Sequence, residues 1–203
     1  MKKKNLLLIA SGLSMMLFTG CGSAPKYVGM DSSTAAPVTM GIDRQDFEKA
    51  ASDMTESLLR SGALNKPGGG RYVVMISDII NDTTQRIDTK MLTKKIRIAM
   101  LNSRKAIITT AVGTQRDDKA QEVRALRGNQ EFRQASIAKK NSLEAPSMSL
   151  SGDILQRAVK TNDGDQLVEY YFQMTLTEIE SGLAYWEEET VVGKIGSNDT
   201  VTW

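Results

Sequence analysis

Histidine is absent from all 203 residues, and cysteine occurs once, at Cys21. The first absence removes the commonest general base and the commonest transition-metal ligand. The second excludes an intramolecular disulfide framework, so stability has to come from packing. An excess of either charge is also lacking: 26 Lys and Arg stand against 24 Asp and Glu, a formal net charge of +2. A chain this close to neutrality has no electrostatic footprint for a nucleic acid. Phosphate-binding and serine-enzyme signatures are incomplete. Gly68-Gly69-Gly70 precedes an apolar run instead of joining strand to helix, and with no G-x-x-x-x-G-K-S/T it reads as a turn. Ser136-Ile137-Ala138-Lys139 matches S-x-x-K, but Lys160-Thr161-Asn162 is not K-T-G, and a solvated surface is expected there. Glu187-Glu188-Glu189 would alternate between the faces of a strand and so cannot converge on a metal with Asp117-Asp118. No catalytic residues, metal or cofactor are expected.

The N-terminus carries a clear address. Lys2-Lys3-Lys4 precedes an apolar run from Leu6 to Phe18, then Thr19, Gly20 and Cys21, the charge, apolar core and small-residue region of a signal peptide over residues 1–20. A cysteine directly after small residues resembles the lipobox of bacterial lipoproteins, with Phe18 where leucine is usual. That resemblance implies lipidation of Cys21 by acyl chains, and more than one chain anchors stably at about 0.8 kcal/mol per buried CH₂. Gly22 and Ser23 follow, without the aspartate that retains such proteins at the inner membrane. The outer membrane, with the domain facing the periplasm, is the implied location. Cleavage would also remove three lysines and take the formal charge to −1.

Residues 21–41 are Gly, Ser, Ala, Pro and Thr with few large apolar side chains, the composition of a flexible tether. About twenty such residues have a typical end-to-end distance near 25 Å and a limit of about 70 Å. A single domain is expected over 42–203. It begins with a helix from Ile42 to Leu64, with Asp43 as N-cap and Phe47, Ala50, Met54 and Leu58 at helical spacing.

The unit Tyr72 to Ser103 organises the rest. Tyr72-Val73-Val74-Met75-Ile76 reads as a central strand covered on both faces. After the polar corner Asn81 to Arg86, a helix is expected from Asp88, its buried stripe made of Leu92, Ile96 and Ala99 and widened by Met91, Ile98 and Met100. Ala106 to Thr110 reads as a short strand, Gln115 to Arg127 and Gln130 to Lys140 as surface helices. Beyond Met148 the chain turns to period two: Val168, Tyr170, Phe172, Met174 and Leu176 alternate with polar residues, and three antiparallel strands are expected. The fold class is α+β in two layers, a mixed sheet with a C-terminal antiparallel meander and helices mainly on one face.

Contact residues are sought at the corner and among the aromatics. Asn81, Asp82, Thr83 and Arg86 occupy a loop on a rigid scaffold, where binding residues gather, although turn chemistry alone also accounts for them. Tyr170 and one of Tyr185 and Trp186 are expected in the core. Tyr171 and the other, taken as Trp186, are then contact candidates.

Val73 to Thr83, Ile87-Asp88-Thr89 and Leu92 to Arg97, with Leu150-Ser151-Gly152-Asp153-Ile154 and the strands through Leu176 and Trp186, resemble the LpoB family of penicillin-binding-protein activators. The resemblance implies a domain similar to the N-terminal domain of TolB, no enzyme activity, and stimulation of a bifunctional peptidoglycan synthase by contact. The tether departs from the long proline-rich linkers of the best-known members. A structural or assembly lipoprotein of another envelope complex, of a secretion, curli or flagellar kind, therefore stands as the alternative.

Overall fold

A computed structural model of the protein describes residues 39–197; the expectations for the signal peptide, Cys21 and the tether up to residue 38 lie outside the described residues. The elements run α1 (Arg44–Ser61), β1 (Tyr72–Asp82), α2 (Thr89–Ser103), β2 (Ala106–Ile108), α3 (Asp118–Ala125), a 3-10 turn (Gln134–Ser136), β3 (Met148–Lys160), β4 (Asp165–Glu178) and β5 (Ala184–Ser197). One five-stranded sheet has the order β2-β1-β3-β4-β5. β1 runs parallel to β2 and to β3, and β3, β4 and β5 form the antiparallel meander. The fold is the mixed α+β arrangement that the patterning predicts.

Local chemistry sets the helix ends. Asp43 caps α1 by accepting from the backbone N–H groups of Gln45 and Asp46, while the Asp46 carboxylate accepts from the Asp43 N–H at 2.8 Å. That reciprocal pair is a capping box. Gly62, with φ 82°, ends the helix, three residues or so inside the predicted span, because a left-handed residue there closes the last carbonyls. α2 opens where expected, with the Asp88 carboxylate on the Lys90 N–H at 3.0 Å.

α1 and α2 pack on one face of the sheet. Phe47, Ala50, Met54 and Leu58 of α1 and Leu92, Ile96 and Met100 of α2 meet Val74, Leu150, Ile154, Phe172 and Leu176 in one buried cluster. Phe47 and Phe172 stack edge to face with centroids 6.0 Å apart. Met91 and Ile98 do not widen this stripe; both lie exposed on the outer side of α2, and only Met100 joins the core. Those two outer positions fall across the helix axis from Leu92 and Ile96 at 100° per residue.

Crossover handedness accounts for burial on the other face. The connections β1-α2-β2 and β2-α3-β3 join parallel strands in opposite lateral directions, so right-handed crossovers place them on opposite faces. Val73 is accordingly buried next to buried Val74, and with Ile137 it lies outside the main core. The crossover itself is less regular than its composition predicts: residues 130–140 hold one 3-10 turn instead of a helix. Gln134 explains it. Its side chain donates to the carbonyls of Asn129 and Phe132 and accepts from the Gly128 N–H, satisfying backbone groups without a helix.

β1 extends six residues beyond Ile76. A bulge between Ile76 and Ile79 inserts an extra residue against β3 and returns Ile79 to the core. Asn81 and Asp82 are therefore strand residues, and the corner begins at Thr83. Gly152 lies on the buried side of β3, where an added Cβ would sit 2.3 Å from the Gln173 carbonyl oxygen of β4. Only glycine allows that approach.

Candidate protein-contact face

The corner is first of all a braced turn. The Asn81 side chain donates to the Gln85 carbonyl at 2.8 Å, the Thr83 hydroxyl donates to the Asn81 side-chain oxygen, and the Gln85 N–H donates to Thr83 Oγ1. Thr84 reaches across to Gln156 of β3. Gln85 donates to the Tyr170 hydroxyl at 2.7 Å and accepts from the Ile42 N–H, and Tyr170 donates to the Met40 carbonyl. Burial, partly offset by the bond from Gln85, pushes the Tyr170 hydroxyl up to about 12. It remains a neutral donor that straps the residues before α1 to the sheet. Asn81 and Thr83 are thus occupied by structure, whereas the Asp82 and Arg86 side chains are exposed and have no partner among the described residues.

Strand register then gathers a face. Asp82 of β1 lies beside Leu155 of β3, Leu155 beside Tyr171 of β4, and Tyr171 beside Val191 of β5. These four point away from α1 and α2, because their neighbours Ile154, Tyr170 and Phe172 point inward. The next outward row along the meander is Arg157, Glu169 and Gly193, and beyond it Val159, Leu167 and Ile195. On the other side lie Ile80, Asp153, Gln173 and Glu189. Tyr171 donates to Glu169 at 2.9 Å. That bond, with some burial, raises its pKa above 10 against the opposing effect of Arg157.

This face has the make-up of a contact surface. Ile80, Val159, Val191 and Ile195 are exposed, Ile195 by 66%, and Leu155, Leu167 and Tyr171 are half-buried between them. Two apolar rows, one centred on Tyr171, with the charged pair Arg157 and Glu169 between them, make a mixed surface of the kind that meets proteins. The sequence signal was present as apolar pairs: Ile154-Leu155, Leu167-Val168, Tyr170-Tyr171 and Val191-Val192 each place one residue on either face of a strand.

Trp186 does not belong to it. It is 8% exposed, packed beneath α1 with Met54, Leu58 and Met174, and its Nε1 donates to the Ser57 hydroxyl at 3.2 Å. The expectation of Trp186 as a contact residue is corrected by β5 register: Trp186 pairs with the buried Leu176, which turns Tyr185 outward instead.

No nucleophile and base meet at the S-x-x-K segment, where the Ser136 hydroxyl is spent on the Arg133 carbonyl at 2.7 Å. Glu187 and Glu189 face outward while Glu188 turns toward Ser57. Among the described residues no group of three acidic, cysteine or histidine side chains could hold a metal.

A family model described as peptidoglycan-synthase activator LpoB matches residues 46–192. The chain belongs to the LpoB family. Solved structures similar to this LpoB-family chain include the LpoB C-terminal domain from Salmonella enterica, 15% identical over 72% of this chain and 98% of that one, with a TM-score of 0.40. The corresponding domain from Escherichia coli is 16% identical over 73% and 99%, TM-score 0.40. Lipoprotein GNA1162 from Neisseria meningitidis is 11% identical over 63% and 87%, TM-score 0.35. No curated protein matches the chain. The matched segment runs from the capping residue Asp46 to Val192 and so takes in α1 from its first turn, α2 and the contact face except Gly193 and Ile195.

Proposed function

We propose that this protein is a lipoprotein of the outer membrane that faces the periplasm and activates a peptidoglycan synthase by protein contact, without enzymatic activity of its own. The family match over residues 46–192 carries the reading. A penicillin-binding protein with both synthetic activities is the partner. Contact that is tighter with the active conformation of the synthase shifts its population toward activity. The Asp82–Leu155–Tyr171–Val191 row is the contact, with Arg86 at its margin, and Cys21 carries the lipid. No helix among the described residues is long and apolar enough to cross a membrane.

Crosslinking and capture of the tagged full chain from membranes tests the partner. A penicillin-binding protein is expected, with recovery falling about tenfold in Asp82→Ala/Tyr171→Ala, the scale of about 1.4 kcal/mol. Capture of secretion or flagellar parts with no synthase would support the assembly reading and sink this one. Labelling with a radioactive fatty acid tests the anchor: the wild type is expected to incorporate label and Cys21→Ala to lose it, and unchanged labelling of the variant defeats lipidation at Cys21.

A further inference from the structure

The domain is near neutral, but two of its surfaces each carry charge of predominantly one sign. α2 contains Lys90, Lys94, Lys95 and Arg97 and no acid, and Arg104 and Lys105 follow it. Lys95 is paired with Glu48, Arg97 with the Gln115 side chain and Lys105 with the Leu59 carbonyl. The Lys90, Lys94 and Arg104 side chains have no partner among the described residues. Between them Met91, Ile98 and Leu101 are exposed on one outer line of the helix, at i, i+7 and i+10. An open cleft of about 540 Å³ lies beside Lys90, Met91 and Lys94, lined also by Thr114 and Gln115 and by the α2 cap Asp88, its one carboxylate.

The opposite edge is its complement. Residues 178–189 hold five glutamates and no cation. The carboxylates of Glu178, Glu187 and Glu189 accept from neutral Ser181, Thr175 and Gln173, and no ion pair among the described residues neutralises them. Ile179, Leu183 and Tyr185 are exposed among these acids, Leu183 by 61%. The negative field is felt locally, since the Glu178 charge raises the Tyr185 pKa above 10. β5 is also an edge strand with one row of backbone groups unpaired within the sheet.

Among the described residues no ion pair joins the two surfaces within one molecule. α2 packs over β1 and β2, at one end of the sheet order, and the acidic turn leads into β5 at the other. They can meet between molecules. We propose that the outer face of α2 docks the acidic β4–β5 turn of a second copy of this chain, a head-to-tail contact with Leu183 and Tyr185 against Met91, Ile98 and Leu101. Glutamates 178 and 180 then face Lys90, Lys94 and Arg104. The interface is heterologous, so a docked pair keeps one free surface of each kind, the turn of one copy and the helix face of the other, and the contact can propagate along a row or close into a ring. It leaves the Tyr171 face open and does not depend on the partner proposed above.

The test uses full-length protein in detergent with cysteines introduced at the two surfaces. Leu101→Cys and Leu183→Cys chains carrying different tags, mixed under mild oxidation at low salt, are expected to form the mixed disulfide. Neither chain should crosslink to itself above the level of Asn162→Cys, a turn residue far from both surfaces. Adding Lys90→Glu/Lys94→Glu to the Leu101→Cys chain is expected to cut the yield at least tenfold, and 0.5 M salt to cut it likewise. Glu178→Lys/Glu180→Lys in the Leu183→Cys chain should restore the yield with the reversed partner, which a mere folding defect would not allow. No mixed disulfide above the Asn162→Cys level, or equal self-crosslinking of each variant, overturns the proposal. Binding to anionic phospholipid vesicles that is lost in Lys90→Glu/Lys94→Glu, with no mixed disulfide, also overturns it and gives the helix face to the membrane surface.

Discussion

Lys194→Ala is expected to destabilise the domain by about 3 kcal/mol or more, from the usual 3–5 kcal/mol for removing one partner of a buried ion pair. The Lys194 side chain is only 6% exposed, and its ammonium reaches the Gly41 carbonyl at 2.6 Å, Asp43 at 3.1 Å and Asp46 at 2.6 Å. The same two aspartates form the capping box of α1. One cation near the end of β5 therefore holds the start of α1 and the residues just before it. Alanine would leave two carboxylates facing each other, with only the helix N-terminus to offset them. Urea unfolding should show a lower midpoint at unchanged slope. Asp46→Asn added to Lys194→Ala should recover part of the loss, because one unpaired charge is then gone. Additive losses in that double variant would disprove the ion network.

The same cluster sets the acid limb. Burial pushes the Asp43 carboxyl up, but the Lys194 hydrogen bond and charge and the N–H groups of Asp46 and Gln45 outweigh it, so its pKa lies below the ordinary 3.8. A folded pKa below the unfolded one means stabilisation that is complete above the unfolded value and is lost as pH falls through the folded one. The wild type should thus lose stability below about pH 4, and Lys194→Ala should lose less over that range.

Phe172→Ala is expected to cost about 3–5 kcal/mol, the range for emptying a buried phenylalanine site. Phe172 is fully buried and meets the edge of Phe47, with Ile154 and Thr190 as its strand neighbours. Its removal opens a cavity between α1 and the middle of the sheet that backbone on both sides prevents from collapsing. Thermal unfolding followed by circular dichroism should show a fall of about 10 °C, at 2–4 °C per kcal/mol for a domain of this size. Tyr171→Ala, one residue away, should cost less than about 1 kcal/mol, as outward positions usually do. Equal losses at the two positions would contradict the inward and outward assignment of β4 and, with it, the contact face.

Much of the architecture was legible because it rests on short-range chemistry. The Asp43 and Asp88 caps, the alternation of β4 and the strand after the three glycines are set by neighbours within a turn or two, and each is where its pattern places it. The misreadings share a cause in distant partners. Met91 and Ile98 read as core because their apolarity was counted without the sheet that fixes which side of α2 is inner. Trp186 read as a contact because an aromatic beside a turn does not reveal its register.

The contact face depended on the sheet most of all. Asp82, Leu155, Tyr171 and Val191 are scattered over more than a hundred positions of the chain, and nothing local relates them. The bulge at Ile76–Ile79, the parallel β1–β3 register and two antiparallel registers bring them into one row. The order of residues settles helix ends, strand alternation and the absence of histidine, since these are properties of neighbouring side chains and of composition. Which apolar residues remain outside, which charges are buried and which distant residues share a surface is settled by pairing between strands far apart in the chain, because burial is a property of the assembled layers.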